Sequence, residues 1–311
     1  MESYAIVTQN LSRHFGSVHA VENLNLEVPH GTVFGFLGPN GAGKTTTIRL
    51  LLGLLAPTAG SARVLGYDSI TQADEIRART GALLEHHALY ERMSAEDNLE
   101  FYGLIYRMSA ARRKIRIQEL LEHIGLWDRR KDLVGKWSRG MKQKLAVARA
   151  LFAKPALVFL DEPTAGLDVA SRVMLHDLMR ELQAEGTTIL LATHDMAEAS
   201  EMASRVAILL SGKIAAAGTP LELTATGAGL TKISVHTEGG CLAKATTAFP
   251  AVRQTQRNED YLIYYSTDIG PTISALIDYI NAQGDPLVDL RVERPTLEDR
   301  FLEITTKGGG Q

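Results

Sequence analysis

Two stretches of this sequence carry side chains that can bind phosphate and move protons, and His194 follows them. Gly38, Pro39, Asn40, Gly41, Ala42, Gly43, Lys44 and Thr45 fit the spacing G-x-x-x-x-G-K-[ST] between an apolar run and a helical one. Glycines so placed let backbone N–H groups wrap an anion, with the positive end of the following helix dipole behind it. Lys44 would then reach the β- and γ-phosphates of a nucleotide, the Thr45 hydroxyl would ligate Mg²⁺, and Thr46 would add a donor. Asp161 and Glu162 follow a second apolar run. Asp161 would orient Mg²⁺ through water, and Glu162 would polarise the attacking water as general base. His194, 32 residues after Glu162, would contact the γ-phosphate and that water. Taken singly, these features also read as a Gly-rich turn, a capped strand end and a hydrogen-bonded core histidine. A phosphate loop alone leaves small-molecule kinase, GTPase and motor ATPase open, although a kinase has no use for a water-activating acid.

These groups need a scaffold that ends several elements in one place. Thr32 to Leu37, Ala156 to Leu160 and Thr187 to Thr193 are short, continuous and apolar, which predicts buried strands of a mostly parallel α/β sheet. Helices are expected from Thr46 to Leu55 and from Ser171 to Glu185. Ligands of such sheets sit outside the carboxyl ends of the strands, so Gly38, Asp161 and His194 should converge. Residues 86–153 read as a helical subdomain, with Ile117, Leu120, Leu121 and Ile124 on one helix face. The basic run Arg112 to Arg116 is interleaved with acids and reads as a solvated face.

After Gly218 the pattern changes. Thr224 to Gly229 reads as a linker, and the remainder gives β-α-β-β-α-β. Its strands are expected at Lys232 to Thr237, on both sides of a turn at Asn258 to Asp260, and at Leu287 to Glu293, with helices near Cys241 to Ala248 and at Pro271 to Gln283. That order predicts a small ferredoxin-like α+β domain. A short helix should start at Thr296. The expected domains are residues 1–222 and 230–306.

Composition agrees with two domains. The 311 residues carry 33 basic against 36 acidic side chains, a formal charge of −3, and 45% are hydrophobic. This balance gives no reason to expect nucleic acid as a partner. No apolar run approaches the roughly 18 residues of a membrane-spanning helix, and no signal peptide is visible, so a cytoplasmic chain is expected. The single cysteine, Cys241, reads as a small packed residue.

Five motifs in order give a resemblance. The phosphate loop, Trp137-Ser138-Arg139-Gly140-Met141-Lys142-Gln143, Leu160-Asp161-Glu162-Pro163, Ala165-Gly166-Leu167-Asp168 and His194 are similar to those of ATP-binding subunits of ABC transporters. The resemblance spans residue 4 to about 220, and it implies a P-loop NTPase fold of the ABC ATPase type that binds ATP and Mg²⁺. It also implies an ATPase dimer, of two copies or of one copy and a related chain. Ser138, Arg139 and Gly140 would close over the ATP held by the other subunit. This signature departs from the common LSGGQ form at Trp137, Arg139 and Met141, and a helix cap at Ser138 is compatible with it.

By the same resemblance Phe15 would stack on adenine, the alternative being a core ring, and Glu85 would stand at the position of a metal-linking glutamine. Asp168 would lie at the dimer interface, and His86 to Leu99 would receive a coupling helix from a separate membrane permease. The ending Glu293 to Leu302 resembles that of bacterial drug-resistance and multidrug-export ATPases. The chain is therefore expected to power export from the inner face of the cell membrane. The rival is an ABC-type ATPase acting on ribosomes or nucleic acid.

Overall fold

The computed structural model describes residues 4–84, 88–226, 230–245 and 248–308. The chain divides into two compact units, Met1–Pro220 and Leu221–Gln311.

The first unit opens with β1 (Tyr4–Phe15), β2 (Val18–Leu24), β3 (Glu27–Pro29) and β4 (Val33–Leu37), followed by α1 (Lys44–Leu51). Then come β5 (Ala59–Val64), β6 (Tyr67–Asp68), α2 (Ala73–Arg79) and β7 (Thr80–Leu83). Three helices follow, α3 (Ala95–Ile105), α4 (Ala110–His123) and α5 (Arg139–Ala150), and then β8 (Leu157–Asp161), α6 (Val169–Ala184) and β9 (Thr188–Thr193). The unit closes with α7 (Met196–Met202), β10 (Arg205–Leu210) and β11 (Lys213–Gly218).

A six-stranded sheet has the order β11-β10-β4-β9-β8-β7, parallel except where β11 runs against β10. β4, β8 and β9 are buried along their whole length, which is why they read as unbroken apolar runs. They are also neighbours, so the residues that follow them emerge side by side. A second sheet is antiparallel, ordered β2-β1-β5-β6 with β3 also on β1, and it has no counterpart in the sequence expectation. Its strands mix buried with exposed positions and small residues; β5, Ala-Gly-Ser-Ala-Arg-Val, buries only Ala62 and Val64.

One core joins both sheets to α1, through Ile48 and Leu51 of the helix, Phe36 of β4, Phe159 of β8, and Ile6 and Val64 of the second sheet. Each such side chain contributes roughly 1.5–3 kcal/mol. The helix after the phosphate loop ends at Leu51, earlier than expected, because Gly53 adopts a left-handed φ of 64°. A Cβ there would lie 2.4 Å from both Ala73 Cβ and Ser69 O.

Within residues 86–153, α3, α4 and α5 each start after a serine whose hydroxyl accepts a backbone N–H three residues on: Ser94 from Asp97, Ser109 from Arg112, Ser138 from Met141. Caps of this kind contribute about 1 kcal/mol each. Ile117, Leu120, Leu121 and Ile124 are buried together.

The second unit starts within α8 (Pro220–Thr226), which replaces the first part of the expected linker; residues 227–229 lie outside the described residues. β12 (Thr231–Thr237), β13 (Val252–Asn258), β14 (Tyr261–Ser266), α9 (Ile269–Gln283), β15 (Leu287–Glu293) and α10 (Leu297–Gly308) follow. The strands pair antiparallel in the order β13-β14-β12-β15, the arrangement of a split βαβ sheet. Ile233, Val235, Tyr264, Leu276 and Ile280 form its core. Of the helix expected near Cys241 to Ala248, Cys241–Lys244 form a 3₁₀ turn, and residues 246 and 247 lie outside the described residues. Gly240 enters it at φ 65°, and Asp285 holds the Cys241 N–H at 2.8 Å, so a single tight turn forms where an α-helix would need a costlier nucleus. Thr296 and Asp299 bond reciprocally ahead of α10, each side chain accepting the other's N–H.

Candidate functional site

The phosphate loop leaves the buried end of β4 and turns into α1 through three glycines at positive φ: Gly38 at 159°, Gly41 at 81° and Gly43 at 106°. At two of them only a missing side chain fits. A Cβ on Gly38 would meet Leu209 O at 2.5 Å, and one on Gly43 would meet Ala20 O at 2.3 Å. The loop is therefore clamped between β10 and the β1–β2 hairpin. Lys44, the first residue of α1, is buried, and its Nζ donates to Gly38 O at 2.6 Å and to Pro39 O at 3.3 Å.

The acidic pair arrives from β8, two strands away. Asp161 is buried and accepts the Thr45 hydroxyl proton through Oδ2 at 2.5 Å, which ties the loop to the strand end. Glu162 sits at φ 50°, in the left-handed region that a glutamate seldom adopts. Two bonds hold it there: its N–H donates to Ala192 O at 2.8 Å, and its own carbonyl accepts from Gln143 Nε2 at 3.3 Å. The turn at 162 points the carboxylate across β9. Oε2 lies 2.8 Å from His194 Nδ1, and Oε1 lies 3.6 Å from Lys44 Nζ. Oε1 is buried and has no hydrogen-bond partner, an acceptor directed into the cluster.

Lys44, Thr45, Asp161, Glu162 and His194 are thus linked by direct contacts at three neighbouring strand ends. Gln143 is the member that the sequence reading gave no role. It faces inward from α5 and also donates to Pro163 O at 2.8 Å. Its signal was its place in the same motif as Ser138, five residues on and so on a different helix face.

The other expected residues lie apart from this cluster within one chain. Ser138 and Arg139 are exposed at the start of α5, where Ser138 Oγ accepts the Met141 N–H at 3.3 Å. Arg139 lies over the turn before α6: a Cβ on Gly166 would be 3.2 Å from its Nε. Asp168 caps α6 by accepting the Ser171 N–H at 2.8 Å, and bonds from the Ser171 backbone and hydroxyl hold its carboxyl below the usual value. Phe15 is 46% exposed at the end of β1, with the Arg13 guanidinium carbon 4.5 Å from the ring centroid, so it is not a core ring. Gly41, Ala42, Pro39, Asn40 and Thr46 complete the loop. Glu85 lies outside the described residues, as do His86 and His87. The rest of the expected permease-facing stretch is ordered by Asn98, whose amide bonds both the N–H and the carbonyl of Tyr90.

A buried ammonium and a set of backbone N–H groups ahead of a helix suit a polyphosphate. The hydroxyl and carboxylate beside them are hard oxygen donors, the kind that Mg²⁺ takes along with nucleotide phosphates.

The chain is similar to known proteins. Residues 21–165 match the family model described as ABC transporter. The chain is 37% identical over 306 residues to a daunorubicin resistance ATP-binding protein of Streptomyces coeruleorubidus, covering 98% of this chain and 97% of that one. It is 36% identical over 307 residues to the Nod factor export ATP-binding protein I of Paraburkholderia xenovorans, covering 98% of each. Among solved structures it is similar to an ATP-binding subunit of an ABC transporter, with TM-score 0.66 and 31% identity over 70% of this chain and 91% of that one. A dimeric ATP-binding cassette in a post-hydrolysis state, bound to ADP and phosphate, has TM-score 0.64 and 25% identity over 69% of this chain and 98% of that one.

Proposed function

The chain belongs to the ATP-binding proteins of ABC transporters, and from that premise we propose that it drives export through a separate membrane permease as one half of an ATPase dimer. The observation that carries this reading is the contact chain Thr45–Asp161, Glu162–His194 and Glu162–Lys44, which supports Glu162 as the base, His194 as its orienting imidazole and Lys44 as the phosphate-binding cation. In this reading the loop amides and Lys44 bind the β- and γ-phosphates, and Phe15 stacks on the adenine. Glu162 takes a proton from the attacking water, and His194 positions that water and senses the γ-phosphate. Thr45, Asp161 and Glu85 would hold Mg²⁺, which would supply charge neutralisation on the phosphates.

Ser138, Arg139 and Gly140 close over the ATP of the other subunit, where the free N–H groups and dipole of α5 meet the γ-phosphate. Asp168 lies between the two sites. Closure on binding and reopening after hydrolysis would move the permease through the surface at 88–99. No helix among the described residues is long and apolar enough to cross a membrane, which fits a permease on another chain and a place at the inner membrane face through it. A relative named for export supports the direction.

The test is a tagged Glu162→Gln chain retained on detergent-solubilised native membranes with ATP present. Recovery of a polytopic membrane protein supports the transporter reading. Recovery of ribosomes, nucleic acid or soluble factors alone would leave an ABC-type ATPase whose mechanical output is not transport.

A further inference from the structure

His14, His19 and Glu22 bring three potential metal-ligand atoms within 4.8 Å of one another on the β1–β2 hairpin. His14 Nε2 and His19 Nδ1 each lie 2.8 Å from the same oxygen, Glu22 Oε2. The two imidazoles are stacked, with centroids 4.0 Å apart and planes 12° from parallel. We infer that these three side chains form a site for one divalent cation of the zinc class, separate from the nucleotide's Mg²⁺.

The backbone has a specific device for assembling them. In a regular strand His19 and Glu22, three residues apart, would face opposite sides of the sheet. Here His14 pairs with His19 while Arg13 pairs with Val21, so one extra residue, Ala20, is inserted in β2 as a bulge. The bulge restores Glu22 to the face that carries both histidines, the re-aiming of a side chain that bulges commonly provide.

The donor set selects the ion. Two imidazoles and one carboxylate favour Zn²⁺ and its neighbours over Mg²⁺ or Ca²⁺. Ligand atoms around a tetrahedral ion stand roughly 3.3 Å apart, as follows from metal–ligand distances near 2.0–2.1 Å. The pairs at 2.8 Å would open by about half an ångström, and the stacked rings would tilt away from their near-parallel arrangement so that both lone pairs converge on the ion. His19 is the most exposed of the three, with 57% of its side chain accessible, which leaves the fourth position open to water. The ion would fasten the two arms of the hairpin that carries Phe15, at the bulge whose Ala20 carbonyl packs against Gly43 of the phosphate loop. The site itself does not depend on the transporter reading.

The experiment is a Co²⁺ titration of the metal-stripped, nucleotide-free full chain in excess Mg²⁺, followed by visible absorption and then by displacement with Zn²⁺. The expected result is one ion per chain. Loss of a direct ligand in His14→Ala or His19→Ala should weaken binding at least as much as the roughly 10- to 100-fold that follows loss of an outer-shell partner, while His123→Ala does not. His14→Gln and His19→Gln keep a hydrogen bond to Glu22, and thermal melts of these variants separate lost ligation from lost folding. Binding weaker than about millimolar, or equal in all folded variants, would overturn the site and leave a hydrogen-bonded triad only.

Discussion

Nδ1 of His194 lies 2.8 Å from Oε2 of Glu162, a contact made across the neighbouring ends of β9 and β8. The glutamate reaches it from a left-handed backbone position, at φ 50°, that is fixed by the Ala192 carbonyl and by Gln143. Its geometry belongs to the turn, so exchanging the carboxylate for an amide should change proton affinity and little else. Glu162→Gln is expected to keep ATP affinity and to lose about 10²- to 10⁴-fold in turnover, the usual contribution of a general base. Phosphate release and nucleotide binding measured side by side check this. Near-normal turnover would remove Glu162 as the base.

Phe15 is expected to contribute stacking energy to nucleotide binding and nothing to the core, since its ring is half exposed beside Arg13. Phe15→Ala should weaken ATP binding by roughly 5- to 150-fold, the equivalent of about 1–3 kcal/mol per stacked base. Phe15→Tyr should retain it, and the melting temperature should change little in either variant. An unchanged dissociation constant for ATP in Phe15→Ala would place the adenine elsewhere.

The reacting end of the sheet was legible in the sequence because its strands are buried on both faces. Val33–Leu37, Leu157–Asp161 and Thr188–Thr193 have no exposed position, so they read as unbroken apolar runs that end in polar residues. The antiparallel sheet was hidden by the opposite condition. β1 and β2 are interrupted by bulges, and β5 contains Gly60, where a Cβ would lie 2.2 Å from Asn10 O. Such strands show no clean alternation. The 3₁₀ turn at Cys241 was misread for a related reason: what limits it is Asp285, 44 residues away, and not the local propensity. Gln143 stands in the Trp137–Gln143 motif, but its bonds to two backbone carbonyls 19 and 20 residues on depend on how α5 packs against the turn after β8, which the motif alone does not give.

Asp285 gives the second unit a defined acid response. Its carboxylate accepts the N–H groups of Cys241, at 2.8 Å, and Gly239, at 2.6 Å, and these bonds push its pKa down to about 2. A carboxyl depressed in the folded state stabilises that state above its unfolded pKa of about 4. The contribution is lost as the pH falls from about 4 through 2. Asp285→Asn should therefore lower the melting temperature at neutral pH and flatten its dependence on pH in that window. Thermal melts of both chains from neutral pH down to pH 2 measure this, and parallel pH profiles would show that the bonds contribute no net stability.

Gly140 separates a role within the chain from a role between chains. A Cβ added there would meet only Leu167 Cδ2 at 3.6 Å and Gly166 O at 4.0 Å, ordinary contacts, and the residue lies in α5 with no positive φ. Alanine is favoured over glycine inside a helix by roughly 0.5–1 kcal/mol, so Gly140→Ala should fold at least as stably as the parent chain and bind ATP equally well. If α5 closes on the γ-phosphate of a partner's ATP, the added methyl blocks that approach, and ATP-driven dimerisation and turnover should fall together. Gly43→Ala should behave differently. Its Cβ would lie 2.3 Å from Ala20 O at a φ of 106°, so nucleotide binding should be lost even by the isolated chain. Sedimentation of the two variants with ATP, in the Glu162→Gln background that suppresses hydrolysis, distinguishes the two cases. A Gly140→Ala chain that dimerises and, with Glu162 restored, turns over like the parent would show that the helix start does not receive the partner's nucleotide.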